Sequence, residues 1–336
     1  MYIYRATGVF SQTPVVRHAK VTSFIRKMIY SIMKNKLFFT FLLSITMLTS
    51  FGQPVKGVNY LAILKQASTY NLNVTYKLPA FTYQSSNDSA LIALRKKFNL
   101  DSVSGFGNQE SRILSVLHWV HNMVKHDGQN ASGIININAC EILTSSMTKK
   151  VGVSCGELAT TLNDCFLALG YKTRKVYCFP KNNMGNDFDS HVINVVYLST
   201  KNKWIWLEPT NDAYVMNERG ELLSIEEVRQ RLILNKPLIV NPDANWNRRS
   251  SVTKDYYLGI YMAKNLYRFY SPLHSEYNYE SHGQNKTIEY VYLYPLDYKK
   301  SLPFKTGPEL NSETKTSIIK YNIYNSRLFW RINDDE

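Results

Sequence analysis

Sequence motifs of several common enzyme classes are absent from this chain of 336 residues. The chain has no P-loop and no G-x-G-x-x-G, and we find no internal repeats and no low-complexity tract. The sequence therefore gives no indication of nucleotide binding through a glycine-rich loop.

Acidic residues are missing from the first 87 positions, and residues 1–36 alone account for half of the net charge of +14. Residues 1–36 carry seven Lys or Arg, and the first acid is Asp88. The rest of the chain carries 33 basic and 26 acidic residues, a net charge of +7. It has no compact Lys/Arg stripe of the kind that a phosphate backbone requires, so we expect solvated surface charge and no nucleic-acid partner.

The N-terminal apolar run falls short of the length that a membrane-spanning helix needs, about 20 residues. This run extends from position 37 to about 48, after Lys34 and Lys36 and before the small residues Ser50 and Gly52. A charged start, a short apolar centre and small residues at the end are typical of a secretory signal peptide. The run is not followed by a cysteine, which argues against a lipoprotein anchor.

We therefore predict an exported protein, periplasmic or extracellular, whose translation starts at Met33. Residues 1–52 would then be an N-terminal extension and signal peptide, and the membrane would be contacted only through this segment. The alternative is an uncleaved segment that tethers the protein to the membrane.

Cysteine is scarce: the four copies are Cys140, Cys155, Cys165 and Cys178. An even count in an exported protein allows two disulfides. If Cys155 is reserved for chemistry, at most one pair is left, and a mature chain of roughly 280 residues can fold without any. We expect buried free thiols at Cys165 and Cys178, and whether any disulfide forms stays open.

Three histidines, His118, His121 and His126, lie on and after one predicted helix in a pattern that suggests metal ligands. The chain has no H-E-x-x-H, and a zinc site needs further ligands in a defined geometry. We expect surface or interfacial histidines and no metal or cofactor. The alternating tyrosines of residues 290–294 could stack on a sugar, but we expect them to pack along a strand.

The hydrophobic pattern predicts an α+β fold in which helices precede an antiparallel sheet. Helical periodicity or capping predicts helices at residues 90–100, 109–126, 138–150, 155–169, 220–233 and 253–269. Alternation and β-branched or aromatic content predict strands at residues 172–179, 190–198, 203–210, 287–296 and 315–324. We divide the mature chain into an N-terminal segment (53–88), a core domain (89–240) and a C-terminal helix and β-rich region (241–336).

Cys155 lies at a predicted helix start, where a thiol is easily ionised. Ser154 and Glu157 form a capping box, which makes Cys155 the first helical residue. The positive end of the helix dipole favours thiolate over thiol, and the first backbone N–H groups can stabilise an oxyanion. The position suits a nucleophile, although a small buried cysteine is the ordinary alternative.

A thiol nucleophile needs a base and a group that orients the base. His191 begins one predicted strand and Glu208 ends the next. If residues 199–202 form the hairpin loop, Ile193 lies opposite Glu208, and His191 becomes the diagonal neighbour of Glu208 on the same face. A loop one residue longer or shorter would place the two side chains on opposite faces.

Together these segments resemble the transglutaminase-like superfamily, with its papain-like Cys-His-Asp core. The resemblance covers roughly residues 90–235 and rests on VSCGELATTLNDCFLALGYKTRKV, DSHVINVVY and KWIWLEPTNDAYV. It implies that Cys155 is the nucleophile and that His191 is the general base and then the acid. Glu208 would be the orienting acid, where the family usually has Asp, and Asp212 is the fallback. The tail, with LNKPLIVNPDANWN and DYYLGIYMAKNLYRF, resembles an exported bacterial branch.

The resemblance implies acyl transfer through a thioester, on a peptide or protein substrate with an amide or carboxamide group, without a metal or organic cofactor. We favour hydrolysis by a cysteine peptidase or amidase, while cross-linking to an amine stays open. One alternative is a catalytically inactive scaffold of the cell envelope, which the Glu208 replacement makes credible. Another is an envelope structural protein that uses its C-terminal β region as a contact surface.

Overall fold

A computed structural model describes residues 57–182, 190–281, 285–298, 302–312 and 314–332. The predicted signal peptide and the Met33 start lie outside the described residues. Within these ranges, no helix has the length and apolar character needed to cross a bilayer.

The helices start where the sequence offers capping side chains. Asp88, Asn108, Asn138 and Ser154 each accept a hydrogen bond from a backbone N–H in the first turn that follows. In chain order the helices are α1 (Tyr60–Lys65), α2 (Ser89–Lys97), α3 (Leu100–Ser104), α4 (Gln109–Met123), α5 (Ala139–Lys149), α6 (Cys155–Ala168), α7 (Ile225–Ile233), α8 (Lys254–Tyr256), α9 (Ala263–Asn265) and α10 (Ser326–Trp330).

Among the described residues, the strands belong to one large sheet and three small two-stranded ones. In chain order they are β1 (Thr82–Tyr83), β2 (Thr173–Phe179), β3 (His191–Leu198), β4 (Lys203–Leu207), β5 (Val215–Met216), β6 (Ile239–Val240), β7 (Asn245–Trp246), β8 (Ser250–Ser251), β9 (Arg268–Pro272), β10 (His274–Ser275), β11 (Thr287–Leu293), β12 (Lys305–Asn311) and β13 (Thr316–Ile323).

Within the part of the chain that the structure describes, the large sheet has the strand order β12-β13-β11-β9-β2-β3-β4. Neighbouring strands are antiparallel except β11 and β13, which run parallel. The predicted α+β class, with its antiparallel core sheet and β-rich C-terminal region, is confirmed. The parallel pair was not predicted, and the domain boundaries stay a prediction.

The β3–β4 hairpin has the predicted register. Leu198 lies opposite Lys203, and the same register, continued past the end of β4, places Glu208 opposite Ile193. The loop is a single 3₁₀ turn closed by Asn202, whose φ of 53° lies in the left-handed region that Asn tolerates. His191 and Glu208 therefore lie on the same face of the sheet.

Strand β4 ends three residues earlier than predicted, because the chain folds back at Glu208. The backbone groups of Glu208 and Ala213 exchange two hydrogen bonds, of 2.8 and 2.9 Å. Asp212 takes a φ of 50° in this tight connection. The fold-back keeps Glu208 at the end of the sheet, next to the start of β3.

Helix α6 is the central element between the other helices and the sheet. Its side chains from Leu158 to Ala168 are all buried. It packs against β2 and β3 on one side and against α2, α4 and α5 on the other. Only its first turn reaches the edge of this core, and Cys155 lies there.

The predicted long helix at residues 253–269 is only partly correct. Helices α8 and α9 are joined by a π-helical turn, Tyr257–Met262, and helical structure ends at Asn265. Arg268 begins β9, which forms an antiparallel ladder with β2. This ladder satisfies the backbone hydrogen-bonding groups at the edge of β2, which would lack partners if the helix continued to residue 269. It also joins the C-terminal strands to the core sheet.

Candidate active site

The first turn of α6 has the predicted capping box. The Ser154 backbone N–H donates to Glu157 Oε2 (2.8 Å), and the Glu157 backbone N–H donates to Ser154 Oγ (3.3 Å). The Ser132 hydroxyl donates to the other oxygen of Glu157. The start of the helix is thereby fixed at Cys155 by side chains on two segments.

Cys155 is half-buried, and its thiol is acidic. Burial by itself would raise its pKa, but hydrogen bonding to His126 and His191 and the charge of His191 outweigh this and lower the pKa to about 6. The position at the helix N-terminus also favours the anion. At neutral pH the sulfur is therefore mainly a thiolate.

His191 is the cationic partner of this thiolate. Burial opposes its charge, but the carboxylate of Glu208 and the sulfur of Cys155 together raise the pKa of the imidazole to about 10. Its Nε2 lies 3.1 Å from Glu208 Oε1, and both side chains are inaccessible to solvent. The contact is ionic rather than a well-directed hydrogen bond, because the N–H is poorly aligned with the oxygen.

Glu208 is held as a carboxylate by several donors. Its Oε1 accepts a hydrogen bond from the Thr210 backbone N–H (2.7 Å). Its Oε2 accepts from the Asn211 backbone N–H (3.1 Å) and side-chain amide (2.6 Å). Burial would raise the pKa of Glu208, but His191 and these donors lower it overall. Glu can therefore fill the orienting position, because the tight turn after β4 aims it back at the imidazole.

Asp212, the fallback orienting acid, lies elsewhere. Its Oδ2 is 2.6 Å from Nδ1 of His118, whose side chain is 62% exposed. Burial raises the pKa of Asp212 against the effect of this histidine. The structure thus brings together Cys155, His191 and Glu208, and the catalytic role of the three stays a prediction.

Two residues that sequence reasoning did not assign to the site also contact its members. The Tyr261 hydroxyl lies 3.1 Å from Nδ1 of His191, in the π-helical turn. His126 forms a β-bridge with Val153, two residues before Cys155, and hydrogen bonding to it lowers the pKa of the Cys155 thiol. The sequence pattern marks His126 only as a possible metal ligand and does not mark Tyr261, because each residue reaches the site through a long-range contact.

The expectation of surface or interfacial histidines is wrong for two of the three. His121 and His126 are buried, and His121 contacts the Pro209 carbonyl and the Asn245 side chain, each at 3.0 Å. His121 packs against the turn that follows β4, and His126 packs against Trp246 and Asn247. The helix periodicity alone does not reveal these contacts. Among the described residues, no three His, Cys, Asp or Glu side chains are grouped so that they could hold a metal ion.

The other cysteines are free thiols. Cys165 and Cys178 are buried, as expected, and burial raises the pKa of both well above the usual range. Cys140 is half-buried and accepts a hydrogen bond from Lys97 Nζ (3.3 Å).

A cavity of about 710 Å³ opens beside the first turn of α6. Its lining includes Ser154 and Gly156, which flank the nucleophile candidate, and the loop of residues 128–135. On the far side lie Tyr177 and Tyr290, whose hydroxyls donate to Glu280 at 2.8 and 2.7 Å. The volume is within the range of small-molecule and peptide side-chain sites, about 300–1,000 Å³.

A comparison with known protein families shows which superfamily the core matches. Residues 96–209 match the transglutaminase-like superfamily, so the resemblance predicted from the sequence is confirmed for this part of the chain. The matched range contains the segments around Cys155, His191 and Glu208. The protein therefore carries a transglutaminase-like domain.

Solved structures add little to this assignment. A candidate cysteine protease from Cytophaga hutchinsonii matches at 16% identity and a TM-score of 0.28, over 44% of this chain and 46% of that one. A candidate protease from Parabacteroides distasonis matches at 14% identity and a TM-score of 0.24, over 38% of this chain and 28% of that one. Both TM-scores are too low to establish a common fold. A comparison with curated proteins gives no match.

Proposed function

We propose that the protein is an exported, cysteine-dependent acyl-transfer enzyme that hydrolyses an amide bond in a peptide or protein. Cys155 is the nucleophile, His191 the general base and acid, and Glu208 the orienting acid. The observation that carries this proposal is the contact chain from a thiol with a pKa of about 6, through a buried imidazole, to a buried carboxylate. The transglutaminase-like match over residues 96–209 supports it.

The ion pair gives the reaction its first step. The Cys155 thiolate forms a bond to the carbonyl carbon, and the π electrons move to oxygen. The backbone N–H of Cys155 has no acceptor within the helix, because it belongs to the first turn, so it can stabilise this oxyanion. As the carbonyl re-forms, the C–N bond breaks, and the leaving amine takes the proton from His191.

Release of the acyl group runs through the same residues. His191, now neutral, takes a proton from a water molecule, whose oxygen attacks the thioester carbon. The products are a carboxylic acid and the Cys155 thiolate. An amine in place of water would give cross-linking. We favour hydrolysis, because water at its bulk concentration has access to a half-buried sulfur beside an open cavity.

Acylation of the purified protein by p-nitrophenyl acetate tests the proposal. We expect a burst of p-nitrophenolate and an acetyl group on Cys155, detected by mass spectrometry of the digested protein. The Cys155→Ala variant should give neither, and Cys165→Ala, which removes a buried thiol, should behave like the wild type. Acetylation spread over several residues, without a burst, would instead support the inactive-scaffold alternative.

Export is a separate part of the proposal, supported by the segment of residues 33–53. Expression of the complete reading frame followed by fractionation should place the protein outside the cytoplasm. N-terminal sequencing should then find a start close to Ser50 or Gly52. A full-length protein retained in the membrane fraction would favour the tethered alternative.

A further inference from the structure

The segment that contains His126 is attached directly to the start of α6. His126 forms a parallel β-bridge with Val153, two residues before Cys155. The Asp127 N–H donates to the Val153 carbonyl (2.7 Å), and the Val153 N–H donates to the Lys125 carbonyl (2.9 Å). The backbone that carries His126 therefore cannot move independently of the backbone that carries the nucleophile.

A second clamp fixes the position of His126 from the C-terminal side. Its backbone N–H donates to Asn247 Oδ1 (2.7 Å), and its carbonyl accepts from Asn247 Nδ2 (2.9 Å). The ring is also closely packed: a Cβ at Gly128 would lie 3.2 Å from its Cε1 and 3.3 Å from its Nε2. A buried side chain held this tightly has a defined orientation.

Trp246 determines which nitrogen of His126 carries the proton. Its indole Nε1–H donates to His126 Nδ1 at 3.1 Å, and the two rings meet edge to face. An indole N–H can only donate, so Nδ1 must be the unprotonated acceptor. A neutral imidazole in this arrangement carries its proton on Nε2. His126 is thus a donor through Nε2, which lies next to Gly128 in the lining of the cavity that Ser154 and Gly156 also line.

A donor at this place has a specific use. When the sulfur attacks a carbonyl, the oxygen that gains the charge is two bonds from the sulfur. A neutral N–H at the cavity beside the sulfur can therefore donate a hydrogen bond to this oxygen. His191 cannot fill this role, because its proton is needed by the leaving group.

We propose that His126, held as the Nε2–H tautomer by Trp246, donates a hydrogen bond to the oxyanion formed at Cys155, as a second catalytic histidine that transfers no proton. This inference rests on the proposed function and extends it. Trp246 and Asn247, which hold His126, lie outside the matched range of residues 96–209, so a segment beyond the family match completes the site.

Two reagents separate this role from a general effect on the thiol. Acylation by p-nitrophenyl acetate passes through an oxyanion, whereas alkylation by iodoacetamide does not. With the thiol fully ionised at alkaline pH, we expect His126→Phe to slow acylation about 100-fold and alkylation less than about 3-fold. His126→Gln, which keeps an N–H donor, should recover part of the acylation rate. Equal losses in both reactions, or no loss in acylation, would overturn the proposal.

The tautomer is tested separately by long-range ¹H–¹⁵N NMR on histidine-labelled protein, which shows which ring nitrogen is protonated. We expect His126 to be protonated at Nε2 in the wild type and to lose this preference in Trp246→Phe, with about a 10-fold loss in acylation. Trp119→Phe, which alters a ring packed on Phe98 away from the site, is the matched control. A proton on Nδ1 of His126 in the wild type would refute the proposed tautomer.

Failure of the inference differs from failure of the proposed function. If wild-type Cys155 reacts with neither reagent faster than a free-thiol peptide, the proposed function is wrong. If Cys155 reacts with both, and His126→Phe leaves the ratio of the two rates unchanged, only the role of His126 is wrong.

Discussion

The first turn of α6 and the middle of the same helix each carry a cysteine, yet the two thiols differ in acidity. Cys155 is half-buried, and its two histidine neighbours outweigh burial to lower its pKa to about 6. Cys165 is buried, and burial together with the charge of Asp164 raises its pKa well above the usual range. Both residues are cysteines on the same helix. The difference in pKa therefore shows that neighbouring groups and position along the helix, not residue type, make a thiol reactive.

The strongest test of the difference between Cys155 and Cys165 is to remove one thiol at a time. Cys155→Ala should abolish rapid alkylation by iodoacetamide at pH 6.5, because the thiol whose pKa is lowered to about 6 is lost. Cys165→Ala should leave the labelling rate unchanged. Mass spectrometry of the labelled peptides measures the labelling in both variants. Labelling of Cys165 in the Cys155→Ala variant would contradict the predicted difference in acidity between the two thiols.

Removing the cation next to Cys155 should make its thiol resemble Cys165. In His191→Asn, burial is no longer opposed by the imidazolium, so the pKa of Cys155 should rise. We expect alkylation at pH 6.5 to slow by at least about 100-fold, since only the thiolate reacts. The rate at a pH high enough to ionise every thiol should change little, which serves as the internal control. An unchanged rate at pH 6.5 would show that His191 does not set the acidity of Cys155.

The carboxylate behind the imidazole should have a smaller effect. Glu208→Gln removes the charge that raises the pKa of His191, so this pKa should fall and that of Cys155 should rise. A change of one pKa unit corresponds to about a 10-fold loss in alkylation at pH 5. Asp212→Asn is the matched control, because the Asp212 carboxylate contacts the exposed His118 instead of His191. A larger loss in the control would make Asp212 the orienting acid.

The pH dependence of acylation should show both members of the ion pair. For an amide substrate, whose leaving amine needs a proton, the rate should rise through pH 6 as the thiol ionises and fall near pH 10 as the imidazolium loses its proton. These limits belong to the coupled pair rather than to either residue alone. Glu208→Gln should bring the two limits closer together, and a profile that rises only above pH 8 would indicate an ordinary thiol.

The smallest effect is expected from the helix cap itself. Ser154→Ala should lower the free energy of unfolding by about 1 kcal/mol, because the Glu157 backbone N–H loses its acceptor. Ser224→Ala removes the same capping box from α7 and should have a similar cost. Chemical denaturation measures both. Only the first variant should also change the alkylation rate of Cys155, and equal effects on reactivity would mean that the cap has no specific role at the nucleophile.

Sequence reasoning located the three predicted site residues because each follows a local rule. Cys155 is placed by a capping box, and the relation of His191 to Glu208 follows from the length of one hairpin loop. Sequence reasoning did not assign His126, Trp246 and Tyr261 to the site. These residues interact with it across separations of 29 to 120 residues, which no local periodicity encodes. Strand β9 escaped for a related reason: Arg268–Pro272 is extended only because the edge of β2 needs a partner.

The pairing of β9 with β2 has a consequence for the design of truncated proteins. A fragment restricted to residues 96–209 would lack β9 and leave the backbone of Tyr177–Phe179 without its hydrogen-bonding neighbour. Such an open edge, flanked by aromatic rings, invites association with other chains. It would also lack Trp246 and Tyr261. Precipitation or inactivity of this fragment would therefore say nothing about the C-terminal strands as a docking surface, and point substitutions in the intact chain are the informative approach.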